Sequence, residues 1–173
     1  MNTKDFESLG PLVNIIVEIE RHSNQKWEYD RINDTLFLDR VLKYPYFYPY
    51  AYGFFPNTLG NDGDELDVLL LTETPYKNYT DSKVTIEGYI VGGLMMYDEK
   101  GEDEKIFVVP KNEIYLYLSK SDSEKAQMHD DIMWFFANYK LRENGKWSKI
   151  GSLLDVNTAV NLYNISTQNA LQK

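Results

Sequence analysis

The sequence predicts an α+β fold that is mainly β, with its helices gathered in the carboxyl-terminal third. Two observations carry this expectation. From Leu12 to about Val109, short apolar or alternating runs are punctuated by turn residues; beyond Lys125 the apolar residues recur at helical rather than strand spacing. No repeat, low-complexity tract or linker interrupts the 173 residues. One domain spanning 1–173 is therefore expected, with a helical segment from about 121 to 173.

The runs LVNIIVEIE (12–20), KWEYD (26–30), DTLFLDRVL (34–42), LDVLLLT (66–72), KVTIEGYIVGGLMMY (83–97) and KIFVVP (105–110) have strand length and composition. Asn-Asp, Asn-Asp-Gly-Asp and Lys-Gly-Glu sequences lie between them, residue types that supply the local hydrogen bonds and positive φ of turns. That number of strands suits a small barrel or a sandwich. Between Lys125 and Leu141, the residues Met128, Ile132, Phe135, Phe136 and Tyr139 share one helical face, and Ser121 with Glu124 has the capping-box spacing. A second, weaker helix is expected from an Asp155 cap through Ala159, Val160, Tyr163 and Ala170, ending in a frayed polar tail.

Composition narrows the chemistry. The chain has no Cys and 2 His, which excludes disulfides and cysteine zinc sites and leaves oxygen as the ligand type for any metal. A net charge of −9 argues against a nucleic-acid partner, because counterion release wants a basic face. The amino-terminal MNTKDFESLGPL lacks a basic start followed by an apolar core, and no uncharged run approaches membrane-spanning length. A cytoplasmic location without a membrane partner is expected, and the N-x-S/T tripeptides at Asn33, Asn78 and Asn164 then carry no glycosylation meaning.

The stretch LGNDGDELDVLLL (59–71) sets Asp62, Asp64, Glu65 and Asp67 directly before uncharged aliphatics. It is not an EF-hand loop: counted from Asp62, position 5 is Leu66, the Gly falls at position 2, and the flanks read as strands. Taken alone it reads as an acidic surface turn. Two features point further. Asp67 lies within the strand pattern, where an unpaired charge is costly. A second cluster, MMYDEKGEDEKIFVV, places Asp98, Glu99, Asp103 and Lys105 at another strand end. Two carboxylates about 4 Å apart repel by roughly 4 kcal/mol at an effective dielectric near 20, so two such mouths brought together call for cations. Carboxylates and water suit Mg²⁺ or Mn²⁺, and an Asp left free of the metal can serve as a base.

Phosphate chemistry would also need donors. Lys26 and Glu28 sit in KWEYD, Arg40 ends LFLDR, Tyr48 and Tyr52 lie in YPYFYPYAYGFFP, and Tyr139 and Lys140 end the first helix. Singly, each reads as a solvated strand position or as core packing. The pattern gains meaning only jointly.

Jointly, these residues resemble the soluble family I inorganic pyrophosphatases. DGDELDV (62–68) fits that family's signature, and VEI with Glu18, KWE, LFLDR, FYPYAYGF, DEKGEDEK, FFANYK and GKWSK follow its order over roughly residues 12 to 150. The resemblance implies a five-stranded OB-like closed barrel with two helices packed outside. It implies hydrolysis of pyrophosphate, arriving as a magnesium complex, by hydroxide held between two of several Mg²⁺ ions, with Mn²⁺ or other divalent ions as substitutes. By similarity, Asp62, Asp67 and Asp103 hold the first metal and Asp67 bridges to the second. Asp98 and Asp103 take ions that come with substrate, Glu18 and Glu28 act through water, and Asp64 is the general base. Lys26, Arg40, Tyr52, Lys105, Tyr139 and Lys140 grip phosphate oxygens, with Tyr48 nearby. A homo-oligomer is implied, a hexamer by preference.

Some positions depart from the family pattern. Glu20 stands where Pro often follows E-I, the loop before Lys26 is one residue short, and Tyr89 replaces a common Arg. Trp134 and Asn138 occupy helix positions where bacterial members often carry His. MHDD (128–131) reads as a solvated helix face, and Glu65 is expected to face solvent. The alternatives are a non-catalytic OB-type module that stacks bases on the aromatic segment and an inactive relative of the enzymes.

Overall fold

The computed structural model describes residues 7–76 and 83–173; residues 1–6 of the amino-terminal segment, and residues 77–82 with the Asn78 tripeptide, lie outside the described residues. The strands are β1 (Leu12–Ile19), β2 (Gln25–Asp30), β3 (Thr35–Val41), β4 (Ala51–Phe54), β5 (Asp67–Leu70), β6 (Val84–Asp98), β7 (Gly101–Glu102), β8 (Lys105–Pro110) and β9 (Ser148–Leu154). The helices are α1 (Ile114–Leu118), which follows a 3₁₀ turn, α2 (Asp122–Asn138) and α3 (Val156–Leu171).

Five strands pair in the order β1, β4, β5, β8, β6, and β6 pairs back onto β1, so they close a ring. The ring is the mainly β, OB-like fold that the sequence led us to expect. Strand β6 makes closure possible by its length, meeting β1 over Val84–Tyr89 and β8 over Gly88–Leu94 before it carries β7 and β9 on its far end. The register shifts between Ile90 and Gly92, where Gly92 has φ 147°, a conformation open to glycine that lets the strand bend from one partner to the next. Of the ring pairs only β5–β8 is parallel. Strands β2 and β3 form a separate hairpin beside the ring.

Ring strands β4, β5 and β8 bury both faces, which is why β5 and β8 read as near-continuous apolar runs. Alternate residues divide between two clusters: Leu69 and Phe107 join Ile132, Phe135 and Phe136 of α2 and Tyr139 at its end, while Val68, Leu70 and Ile106 join Ala159 of α3. Helix α2 starts at the expected box: Ser121 Oγ accepts from Glu124 N (3.3 Å) and Ser121 N donates to Glu124 Oε2 (2.7 Å). Asp155 caps α3 by accepting from Thr158 N (2.7 Å).

The structure corrects several expectations. Strand β4 lies inside the aromatic, proline-punctuated segment, and β9 divides the stretch expected to be helical from about 121 to 173. Three α-helices are present among the described residues where two were expected, the extra one being the five-residue α1. The last helix runs as expected from the Asp155 cap past Ala170 to Leu171, and it is tied to the loop before β5, where Leu59 N donates to Ser166 O (2.8 Å) and Asn169 Nδ2 to Leu59 O (3.3 Å).

At Gly53 the backbones of β1 and β4 approach so closely that an added Cβ would lie 1.9 Å from the carbonyl oxygen of Ile16. Since backbone cannot step aside without breaking the ring pairing, Gly53→Ala should cost about 3 kcal/mol or more, measured by denaturant unfolding. Asp155→Ala, which orphans one amide at the start of α3, should cost about 1 kcal/mol in the same measurement.

Candidate active site

One end of the ring opens into a cavity of about 350 Å³ between the β2–β3 hairpin, the loop before β5, the β6–β7 turn and the end of α2. Every residue singled out from the sequence lines it except Tyr48. Tyr48 is 1% exposed and packs behind the wall, its ring 5.4 Å from Tyr52 and 4.7 Å from Phe135. Sequence could not separate the two tyrosines, because the aromatic segment alternates between wall and core only once β4 is formed.

The centre follows from strand register. In the parallel β5–β8 pair Asp67 stands opposite Lys105, and Lys105 Nζ lies 2.5 Å from Asp67 Oδ2 while also bonding Asp103. The Lys105 side chain is 3% exposed, with its ammonium 5.6 Å from the Tyr52 ring centre and 5.8 Å from that of Phe136. Burial opposes its charge, yet Asp67 and Asp103 outweigh burial and hold the ammonium protonated well above its ordinary range. Burial pushes the Asp103 carboxyl up, with Lys105 opposing and Asp67 adding to the rise. Lys140 repeats the device at the α2 end, 2.8 Å from Asp98 Oδ2 and 3.2 Å from Glu99 Oε2. Burial works against the Asp98 anion, but Lys140 and the Lys100 amide outweigh it and lower its pKa. Burial also keeps Tyr52 and Tyr139 neutral, hence donors.

The hairpin supplies the opposite wall. Lys26 and Arg40 are cross-strand partners, two like charges side by side. Asp39 separates them, 3.4 Å from Lys26 Nζ and 3.5 Å from Arg40 Nη1, and Lys26 also pairs with Glu28. Arg40 keeps a buried Nε that has no protein partner, a donor that an anion entering the cavity can satisfy. Glu18, set at the bulge of β1 against β4, accepts from Tyr29 N (2.9 Å). Burial, helped by Asp67, pushes its carboxyl up to about 8.

The acidic loop forms the rim. Asp62 and Asp64 are exposed, and Asp62 Oδ1 accepts from Asp64 N (3.1 Å). Lys100 Nζ lies 3.5 Å from Asp64 Oδ2, and the Asp64 charge raises the Lys100 pKa. Glu65 does not face solvent as expected: its side chain is 17% exposed and pairs with Arg31 of the hairpin turn. Arg31, Asp39, Glu99 and Lys100 line the cavity although the sequence did not single out their roles. Asp39 and Glu99 adjoin residues that it did single out, whereas nothing local marks Arg31.

The donor set, carboxylates without Cys or His, fits a hard divalent cation. Among the described residues no three carboxylates converge closely enough to share an ion as placed, because Lys105 stands between Asp67 and Asp103 and Lys140 between Asp98 and Glu99. A cation entering there would take carboxylates that ammonium groups now neutralise, and the freed ammonium groups would face the cavity.

The family profile described as inorganic pyrophosphatase matches residues 15–170. The inorganic pyrophosphatase of Helicobacter pylori is 36% identical over 149 residues, 84% of each chain, and that of Saccharolobus solfataricus is 41% identical over 142 residues, 80% of each. The crystal structure of inorganic pyrophosphatase from Thermus thermophilus superimposes with a TM-score of 0.84 at 34% identity, covering 92% of this chain and 91% of that one. With this profile match and these relatives spanning most of its length, the chain belongs to the inorganic pyrophosphatase family.

Proposed function

We propose that the protein hydrolyses pyrophosphate to two phosphates with Mg²⁺, Asp64 acting as general base. The observation that carries this reading is the Asp67–Lys105–Asp103 group, which puts a cation for phosphate oxygens and carboxylates for metal ions on adjoining strands of one cavity. Asp62, Asp67 and Asp103 would hold the first metal ion, with Asp67 shared by a second. Asp98 and Asp103 would receive ions that arrive with the substrate, and Glu18 and Glu28 would act through water. Bound divalent ions supply a lowered pKa for the attacking water and neutralise charge on the phosphates.

The chain's own residues do the rest. Lys26 and Arg40 from the hairpin and Lys105 and Lys140 from the ring side grip phosphate oxygens, joined by the neutral donors Tyr52 and Tyr139. Tyr48 supports Tyr52 from behind. Asp64 stands outside the two buried lysine–carboxylate groups and is exposed at the rim beside Lys100, which supports the reading that it takes a proton and passes it to solvent. Substrate entering as a magnesium complex reconciles an anionic ligand with a chain of net charge −9. We place the protein in the cytoplasm; no helix among the described residues is long and apolar enough to cross a membrane. A homo-oligomer, with a hexamer favoured by the family resemblance, accords with Trp134 standing 57% exposed on α2. Mn²⁺ or other divalent ions are the substitute cations.

A phosphate-release assay with metal titration tests the reaction and its cofactor together. Pyrophosphate should be cleaved with Mg²⁺ and not in excess chelator; a well-folded protein inert across several divalent metals would sink the reading. Asp64→Asn should cut turnover about a hundredfold or more while the Mg²⁺ binding isotherm stays near that of the wild type. Near-normal turnover in that variant would remove Asp64 from the role of base.

A further inference from the structure

We propose that Arg31 and Glu65 form a positioning clasp across the cavity mouth, fixing the hairpin that carries Lys26, Glu28 and Arg40 against the acidic loop that carries Asp62 and Asp64. This rests on the pyrophosphatase reading for its kinetic consequence and on the fold alone for its mechanical one.

The β2–β3 hairpin forms no strand pairing with the ring, and a two-stranded ribbon by itself is marginal in water. Its base is pinned, because His22 N donates to Tyr48 O and Tyr48 N to Ser23 O, both at 2.8 Å. Near its turn end it is held by Tyr29, one pair before the turn, whose N–H donates to Glu18 and whose ring stacks on Phe54 at 5.6 Å. Toward the acidic loop, however, the contact this turn makes is the pair of Arg31 with Glu65. The nearby Lys83–Asp34 pair holds the same turn toward the start of β6 but touches nothing in the acidic loop.

The loop has the complementary weakness. Its ends are fixed by Leu59 N donating to Ser166 O (2.8 Å) and Leu66 N to Thr58 Oγ1 (3.0 Å). Between them Asp62, Gly63 and Asp64 are exposed, while Glu65 alone turns inward to the guanidinium. Substrate and its ions must be gripped from both walls at once, so the spacing between hairpin and loop sets how well the phosphate donors and the carboxylates are aligned. Glu65 neutralises Arg31, which separates this arginine from Arg40 with its unpartnered Nε: Arg31 holds the wall, and Arg40 faces the anion. Freed of the clasp, the hairpin can tilt about its Tyr48 anchor, and misplacement by about 1 Å can cost up to a hundredfold in rate.

The test uses the full chain as Arg31→Gln, Glu65→Gln, the double variant, and the reversed pair R31E/E65R. At saturating Mg²⁺ each single variant should lose about tenfold in kcat/KM, mainly through KM. The double should be no worse than either single, and the reversed pair should recover most of the loss. Hydrogen exchange should quicken in residues 25–41 and 60–65 together in each single variant. Additive losses, or a far larger loss for Arg31→Gln than for Glu65→Gln without recovery in the reversed pair, would mean that Arg31 grips substrate itself and would overturn the clasp. Unchanged exchange with an active wild type would overturn it too. Coupled exchange alongside a wild type that releases no phosphate would uphold the clasp and defeat the pyrophosphatase reading instead.

Discussion

Asp67 and Asp103 cannot share a buried corner of the ring without a cation between them, and Lys105 is the cation that strand pairing delivers. The parallel register of β5 and β8 sets Asp67 opposite Lys105, and Leu94 of β6 faces the same lysine from the other side. The residues that follow Asp67 and Lys105 are buried on both faces, so a slip of either strand by one residue would exchange the side chains of the two core clusters and break the Asp67–Lys105 pairing. A charged centre is thereby positioned by hydrophobic packing. Removing Lys105 would leave the two carboxylates facing each other without their cation, a loss that for such buried groups costs several kcal/mol, about 3–5.

The remainder of the cavity is built outward from that pair. Helix α2 brings Tyr139 and Lys140 because its apolar face, Ile132, Phe135 and Phe136, can pack on the strands in only one orientation. The same ring stacking that fixes α2 fixes the tyrosine wall, with Phe135 and Phe136 both in contact with Tyr139. The hairpin stands apart, attached by hydrogen bonds, ion pairs, one aromatic stack and the buried Leu36 rather than by strand pairing with the ring. The cavity therefore has one rigid wall and one wall whose placement depends on polar contacts, a division that suits a site that must admit and release highly charged species.

Much of this was legible in the sequence, for identifiable reasons. The strand runs, the α2 face and both helix caps depend on local periodicity and local hydrogen bonding, which a sequence displays directly. Strand β4 was hidden because four buried residues inside an aromatic, proline-punctuated segment carry no alternation to read. Strand β9, SKIGSLL, was hidden for the opposite reason: it is half-exposed and polar, and it exists because β6 is long enough to offer it an edge. The acidic and basic residues of the cavity could be gathered by type but not paired. Nothing in LGNDGDELDVLLL says that Glu65 turns inward, since its partner Arg31 lies in a turn 34 positions earlier in the chain. Tyr48 and Tyr52 illustrate the same limit, since both look like binding residues and only one reaches the cavity.

The pairing of charges within the cavity also decides how its ligands must bind. With Lys105 and Lys140 paired to carboxylates, a phosphate oxygen that took Lys105 alone would leave Asp67 and Asp103 without their cation. The converse holds for a metal ion alone, which would take the carboxylates and strand the ammonium. Either exchange leaves a buried charge without a partner, whereas both together leave none. On the proposed reading the two binding events would be linked, and by reciprocity each would raise the affinity for the other by the same factor. In this family setting the linkage gives a physical reason for substrate to be taken up together with its cations. It follows from the placement of Lys105 and Lys140 between carboxylates rather than from the net charge of the chain.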